Sequence, residues 1–140
     1  MRPTIQEYLL AVALAVASRS TCRRKVGCVF ADKNGRILSA GYNGLPKGMP
    51  HCDEGSCTNP PGGTGSCNVI HAEQNCALFC TQPNEIHYIA VTRLPCNSCG
   101  LLLMNSPGQV LIYSEANSYP DTLALLRSRF EMFHLSTEVP

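Results

Sequence analysis

Residues 71–77 read His-Ala-Glu-Gln-Asn-Cys-Ala and residues 94–100 read Leu-Pro-Cys-Asn-Ser-Cys-Gly. A fold that brings His71, Cys96 and Cys99 to one point must lay these two segments side by side, and no other feature of the chain is as restrictive. Cysteines three residues apart project from one side only when a helix carries them. If Pro95 ends a strand and Cys96 opens a helix, both thiols leave its first turn together, where the helix N-terminus favours thiolates. His71 opens a second helix and Glu73 falls in that same first turn. One His and two Cys are a complete protein ligand set for a catalytic zinc, which keeps its fourth position for water. Two thiolates and a neutral imidazole leave such a site without net charge, so that water ionises near neutral pH. Glu73, close to the metal but not needed as a ligand, is placed as the proton carrier. A structural zinc or a redox Cys-x-x-Cys beside an unrelated helix is the plainer reading, yet neither needs His-x-Glu at a helix start or a proline before the first cysteine.

The rest of the chain predicts elements that serve this pairing. Residues 4–18 carry apolar side chains at Ile5, Tyr8, Leu9, Val12, Leu14 and Val16, and Thr4 with Glu7 has the spacing of a capping box, so a helix packs there on a sheet. Residues 26–31 and 36–41 flank Asp32-Lys33-Asn34-Gly35, where the Asn-Gly pair supplies positive φ angles, and predict an antiparallel hairpin with both strands covered. Residues 43–68 are rich in Gly, Pro, Ser, Thr and Asn with three cysteines, a loop that needs something to organise it. A helix over 71–80, a strand over 85–92, a helix over 97–104, a strand over 109–114, a helix over 121–129 and an edge strand over 131–136 follow. Strands alternating with helices imply parallel pairing, and with the hairpin they give an α/β fold, a three-layer α/β/α sandwich on a mixed five-stranded sheet. We see no repeat and no linker, so residues 1–140 form a single domain.

Composition narrows the function. The formal net charge is +1 and basic residues are scattered except for Arg23, Arg24 and Lys25, so no basic face for long nucleic acid is present. Charged residues are only 15 % of the chain against 44 % apolar, and subunit contact is the simplest use for so little charge. The apolar run over 8–17 is too short to span a bilayer and lacks the basic flank of a secretion signal, despite a faintly similar Ala-Val-Ala-Ser, so the expected location is the cytoplasm, with no membrane partner. Nine cysteines, an odd number, at ligand-like spacings in a chain without a secretion signal favour metal binding over disulfides.

The pairing of His-x-Glu with Pro-Cys-x-x-Cys is the established signature of zinc nucleobase deaminases, matched rather than derived. Across nearly its whole length the chain resembles the deoxycytidylate (dCMP) deaminase family of the cytidine deaminase superfamily. The resemblance runs through residues 19–22 (Arg-Ser-Thr-Cys), 24–27 (Arg-Lys-Val-Gly), 41–44 (Gly-Tyr-Asn-Gly), His51-Cys52, residues 55–57, Cys67, residues 71–75, Val91-Thr92 and 95–99. The zinc motif marks the superfamily; Gly-Tyr-Asn-Gly with the cysteine-rich loop narrows it to dCMP. The resemblance implies hydrolytic deamination of dCMP to dUMP with loss of ammonia, which supplies dUMP for thymidylate synthesis, in enzymes that are commonly hexamers activated by dCTP and inhibited by dTTP. In that chemistry Glu73 moves protons from water to N3 and the departing amino group of the ring. Asn43 would lie at the nucleotide. Departures are Cys76 where the family usually has Ala, a short segment after the His71 helix and a trimmed C-terminal half.

Cys52, Cys57 and Cys67, with Cys22 before the hairpin, are a candidate closed site for a second, structural zinc, with His51 as a competing ligand; free thiols are the bland alternative. Cys28, Cys76 and Cys80 read as buried inert thiols. For the substrate, Arg23, Arg24 and Lys25 are candidate phosphate donors or simply a solvated basic patch, and Asn43, Asn75, Tyr113 and the Cys96 N–H are further contact candidates. Gly44, Lys47 and Gly48 are candidates for a nucleotide effector site, because glycine lets backbone approach phosphate closely. Competing functions are a tRNA-adenosine or other nucleobase deaminase, disfavoured by the charge distribution, and a non-catalytic zinc-stabilised interaction module, disfavoured by Glu73.

Overall fold

A computed structural model of the chain describes residues 1–51, 68–116 and 120–136. Its elements follow in the order α1 (Ile5–Ala17), β1 (Gly27–Ala31), β2 (Ile37–Tyr42), α2 (Ala72–Leu78), β3 (Tyr88–Arg93), α3 (Asn97–Met104), β4 (Val110–Glu115), α4 (Pro120–Arg127) and β5 (Glu131–His134). The five strands form one sheet in the order β2-β1-β3-β4-β5. β1 is antiparallel to both β2 and β3, while β3, β4 and β5 run parallel. The mixed sheet and the α/β/α layering are as the sequence predicts.

Strand periodicity sorts the core into two faces, because successive side chains point to opposite sides. Val29 and Ala31, with Ala90, Val110 and Ile112, meet Leu9, Leu10 and Ala13 of α1. Cys28, Phe30, Ile89, Val91 and Leu111 face the other way, onto the layer that includes Ala72 and Cys76 of α2, Leu103 of α3 and Leu126 of α4. The helices carrying His71 and Cys96 therefore share one face. Among the described residues no helix is long and apolar enough to cross a membrane.

Several local expectations change. The Thr4–Glu7 capping box forms, with the Thr4 N–H donating to Glu7 Oε1 at 2.8 Å and the Glu7 N–H to Thr4 Oγ1 at 3.1 Å. The buried stripe of α1 is Leu9, Leu10, Ala13 and Ala17, and Tyr8 is exposed. The small residues win because Gly27 brings β1 against the backbone of Ala13 and Ala17, where a Cβ on Gly27 would collide with the Ala13 carbonyl. In the hairpin only Gly35 takes a positive φ, 81°, and Asn34 does not. Asp32 Oδ1 accepts from the N–H groups of Asn34 and Arg36, each at 2.9 Å, so an aspartate-organised turn needs one left-handed residue only. β1 is fully buried, but β2 alternates, with Ser39 and Gly41 buried against α2 and Ala40 between them exposed on the other face. The strand expected from residue 85 starts at Tyr88, since Pro83 opens a 3₁₀ turn over Pro83–Glu85.

Candidate active site

His71 and Cys96 occupy the caps at which two helices begin. His71 is extended, with φ −72° and ψ 155°, and its N–H donates to Gln74 Oε1 at 2.8 Å as α2 starts. Cys96 is extended at the start of α3, with φ −67° and ψ 170°, and its carbonyl accepts from Gly100 N–H at 2.8 Å. The route into α3 is fixed by the Leu94 N–H, which donates to Glu115 O at 2.7 Å and holds the segment against the end of β4. Cys99 falls one turn into α3 and is 1 % exposed.

The three side chains converge as the spacing predicts. His71 Nδ1 lies 3.7 Å from Cys96 Sγ and 3.4 Å from Cys99 Sγ. All three ligand atoms lie within 4.8 Å of one another, the one such grouping among the described residues. Zinc with sulfur at about 2.3 Å and nitrogen at about 2.0–2.1 Å, at tetrahedral angles, puts the two ligand atoms about 3.6 Å apart. The donor types and both sulfur–nitrogen distances thus fit zinc. Burial raises the Cys99 thiol well above its ordinary range, reinforced by the charges of Glu73 and Cys96. A cation among these ligands reverses that balance, since coordination deprotonates a thiol outright.

Glu73 is buried at 4 % exposure in the first turn of α2, within hydrogen-bonding reach of Cys99. Burial lifts its carboxyl above the usual range, against smaller opposing effects of its backbone N–H and the Cys99 thiol. A carboxyl held this way keeps a proton more readily than an exposed one, as a group that must both take and return a proton requires.

The remaining candidates gather at the same end of the sheet without all facing the ligands. Gly27 pairs with Tyr42, Cys28 with Val91, and Val91 with Tyr113, so the start of β1 and the ends of β2, β3 and β4 share one edge. Asn43 lies there, its side chain already engaged: Oδ1 accepts from Val26 N–H at 2.9 Å and Nδ2 donates to Arg24 O at 2.7 Å. Asn75 Nδ2 donates to Tyr42 O at 2.9 Å, tying α2 to the end of β2. Tyr113 is buried and stacks on His134 with ring centroids 4.6 Å apart. Arg23, Arg24 and Lys25 are exposed, and no carboxylate among the described residues pairs with them. Gly44 is bridged to Ile70, Lys47 is exposed, and Gly48 has φ 91° with open space around its Cα. Two buried polar residues escape the spacing argument. Ser20 donates to Asn43 O at 2.8 Å, and Thr92 Oγ1 accepts from Gly27 N–H at 3.1 Å; no local pattern signals either, because each partner is distant in sequence.

Of the second proposed ligand set, Cys52, Cys57 and Cys67 lie outside the described residues. Cys22 is buried with its Sγ 3.7 Å from Asn43 O, and His51 is exposed. Cys28 and Cys76 are buried as expected, with the Cys28 thiol raised first by desolvation and then by Cys76, while Cys80 is half-buried.

A mixed five-stranded α/β/α sandwich that sets a His and two Cys at adjacent helix starts, beside a buried glutamate, defines a zinc-binding protein of the deaminase class. The profile of the cytidine and deoxycytidylate deaminase zinc-binding region matches residues 3–114, and the chain belongs to that family. It is 37 % identical to the deoxycytidylate deaminase of Mycobacterium phage D29 over 125 residues, covering 80 % of this chain and 95 % of the phage protein. With the deoxycytidylate deaminase of Schizosaccharomyces pombe it shares 32 % over 139 residues, which is 91 % of this chain but 42 % of the yeast protein. The crystal structure of dCMP deaminase from cyanophage S-TIM5, in complex with dCMP and dUMP, superposes with a TM-score of 0.78 at 28 % identity, over 96 % of this chain and 99 % of that one.

Proposed function

We propose that the chain hydrolyses dCMP to dUMP and ammonia, supplying dUMP for thymidylate synthesis. One observation carries the reading: a buried glutamate set beside a three-ligand metal group, which a purely structural metal does not require. His71 Nδ1, Cys96 Sγ and Cys99 Sγ are the ligands in this proposal. Zinc held by them would supply a water that ionises near neutral pH. Glu73 takes a proton from the attacking water, whose oxygen adds to C4 of the cytosine ring. It delivers that proton to N3, then moves the remaining proton of the added water from the C4 hydroxyl to the amino group, so that C4=O forms, the C4–N bond breaks, and ammonia leaves a uracil ring. The Cys96 N–H and Asn75 orient ring and sugar, Tyr113 lines the same sheet edge, and Arg23, Arg24 and Lys25 receive the 5′-phosphate.

Further parts of the proposal rest more on the family resemblance. Cys22 with Cys52, Cys57 and Cys67 holds a second, structural zinc, with His51 as the alternative ligand. The chain assembles as a homo-oligomer, a hexamer by resemblance, and works in the cytoplasm. It answers to dCTP as activator and dTTP as inhibitor through Gly44, Lys47 and Gly48.

The test is ammonia release from a panel of dCMP, CMP, deoxycytidine, dCTP and an adenosine-bearing tRNA loop, with and without dCTP and dTTP. Turnover of dCMP above the others is expected; turnover of the tRNA loop alone would move the substrate to RNA. Zinc analysis tests the second metal. About two zinc ions per chain are expected, falling to about one in Cys57→Ser. A single zinc untouched by that substitution removes the second site.

A further inference from the structure

We infer that Asn43 is a positioning residue, which holds the exposed segment Arg23-Arg24-Lys25 at the metal end of the sheet so that it can receive a substrate phosphate. The inference rests on the substrate being a nucleoside monophosphate, as proposed above.

Asn43 grips the segment from several sides. Its side chain spans it, Oδ1 accepting from Val26 N–H at 2.9 Å and Nδ2 donating to Arg24 O at 2.7 Å. The Asn43 N–H donates to Val26 O at 3.2 Å, and the Asn43 carbonyl accepts from Ser20 Oγ at 2.8 Å. Ser20 Oγ in turn accepts from Cys22 N–H at 3.2 Å. These bonds anchor the backbone at Cys22, Arg24 and Val26, in a stretch that belongs to neither α1 nor β1 and has no helix or strand ladder of its own.

The next residue connects the same brace to the metal site. Gly44 N–H donates to Ile70 O at 3.1 Å, and Ile70 N–H donates to Gly44 O at 2.8 Å, directly before His71. On the far side, Gly27 N–H donates to Thr92 Oγ1 at 3.1 Å, at the end of the strand that leads to Cys96. Asn43-Gly44 therefore joins three cationic side chains to the residue before a metal ligand. Those cations are exposed, where a guanidinium or ammonium group can meet a phosphate with charge-assisted hydrogen bonds. A loop that must present charge to a phosphate binds better when held in place, because its ordering is already paid before the substrate arrives.

The inference separates indirect from direct action. If Asn43 works through the basic segment, its removal and the removal of the cations damage the same interaction, and the two effects do not add. If it contacts the nucleotide on its own, they add. KM and kcat for dCMP are measured in the wild-type protein, in Asn43→Ala, in Arg23→Ala/Arg24→Ala/Lys25→Ala and in the combination. Asn43→Ala is expected to raise KM about tenfold with kcat within about threefold, as loss of ground-state binding does. The triple variant is expected to raise KM at least as much, and the combination no further. Multiplied KM effects, or a fall in kcat at unchanged KM, overturn the inference.

Ser20→Ala decides the matter if Asn43→Ala does not fold. Ser20 is 2 % exposed and cannot touch a bound nucleotide, yet it donates to Asn43 O. It is expected to raise KM for dCMP about threefold, again without adding to the triple variant. An unchanged KM in Ser20→Ala counts against the brace. Failure of the wild-type protein to turn over dCMP at all would instead refute the proposed function, so the two failures are distinct.

Discussion

Glu73 shows what a single residue contributes at this site. A carboxyl at 4 % exposure beside Cys99, raised above its usual range by burial, is a costly group to keep in a core. Its position makes sense as a proton carrier and not as a ligand, since His71, Cys96 and Cys99 already complete a three-ligand set. Glu73→Gln retains the shape and removes the carboxyl, so zinc content is expected to stay at the wild-type level. Ammonia release from dCMP is expected to fall by about 10²–10⁴, the share that positioned proton transfer supplies. Metal analysis beside a turnover assay reads both, and persistent turnover would sink the mechanism. His71 with Glu73, and Cys96 with Cys99, were legible in the sequence because each pair lies within one helical turn, while joining the two pairs took the known deaminase signature. The grip of Asn43 on Arg24 and Val26 was not, since it spans 19 and 17 residues and depends on β1 and β2 pairing as they do. The same holds for Ser20 and Thr92, which look like ordinary polar residues until their distant partners are known.

At the scale of elements, the site depends on how closely α2 lies on the sheet. A Cβ added at Gly41 in β2 would stand 2.5 Å from Cys76 N, 2.8 Å from Ala72 O and 2.9 Å from Asn75 C, all backbone of α2. The helix can come this near only because the strand has no side chain there. Gly41→Ala must push back the element that begins at His71 and carries Glu73. Overpacking of this kind costs about 1–3 kcal/mol. Displacing catalytic groups by about 1 Å lowers activity by about 10². We therefore expect a lower urea midpoint and a larger proportional loss of kcat, with zinc affinity also reduced; wild-type kcat in a destabilised variant would show that α2 tolerates the shift. The order and type of the helices and strands among the described residues were readable from the sequence, because the unbroken apolar runs of β1, β3 and β4 answer directly to two covered faces. Their edges were less so. Pro83 starts a 3₁₀ turn inside the expected strand, and α1 turns Ala13 and Ala17 inward because Gly27 permits backbone contact that hydrophobicity does not register.

For the whole molecule, the low charge content calls for an explanation that the monomer fold does not supply. The helices that begin at His71 and Cys96 also expose large apolar side chains: Leu78 at 72 % in α2, Phe79 at 68 % just after it, and Leu101 at 51 % and Leu102 at 43 % in α3. On a monomer these side chains remain in water, whereas burying a Leu or Phe fully is worth about 1.5–3 kcal/mol. The proposed homo-oligomer is expected to cover some of these side chains, and charge placed on them should be expensive to bury. Leu78→Glu/Phe79→Glu should lower the mass seen by sedimentation toward that of one 15.2 kDa chain, without changing the far-UV spectrum. Because both residues lie at the far end of α2 from His71, zinc content should be retained even as assembly is lost. An unchanged oligomer would place the contact on other surfaces of the chain. A wild-type protein that sediments as a monomer would remove subunit contact as the reason for so few charges.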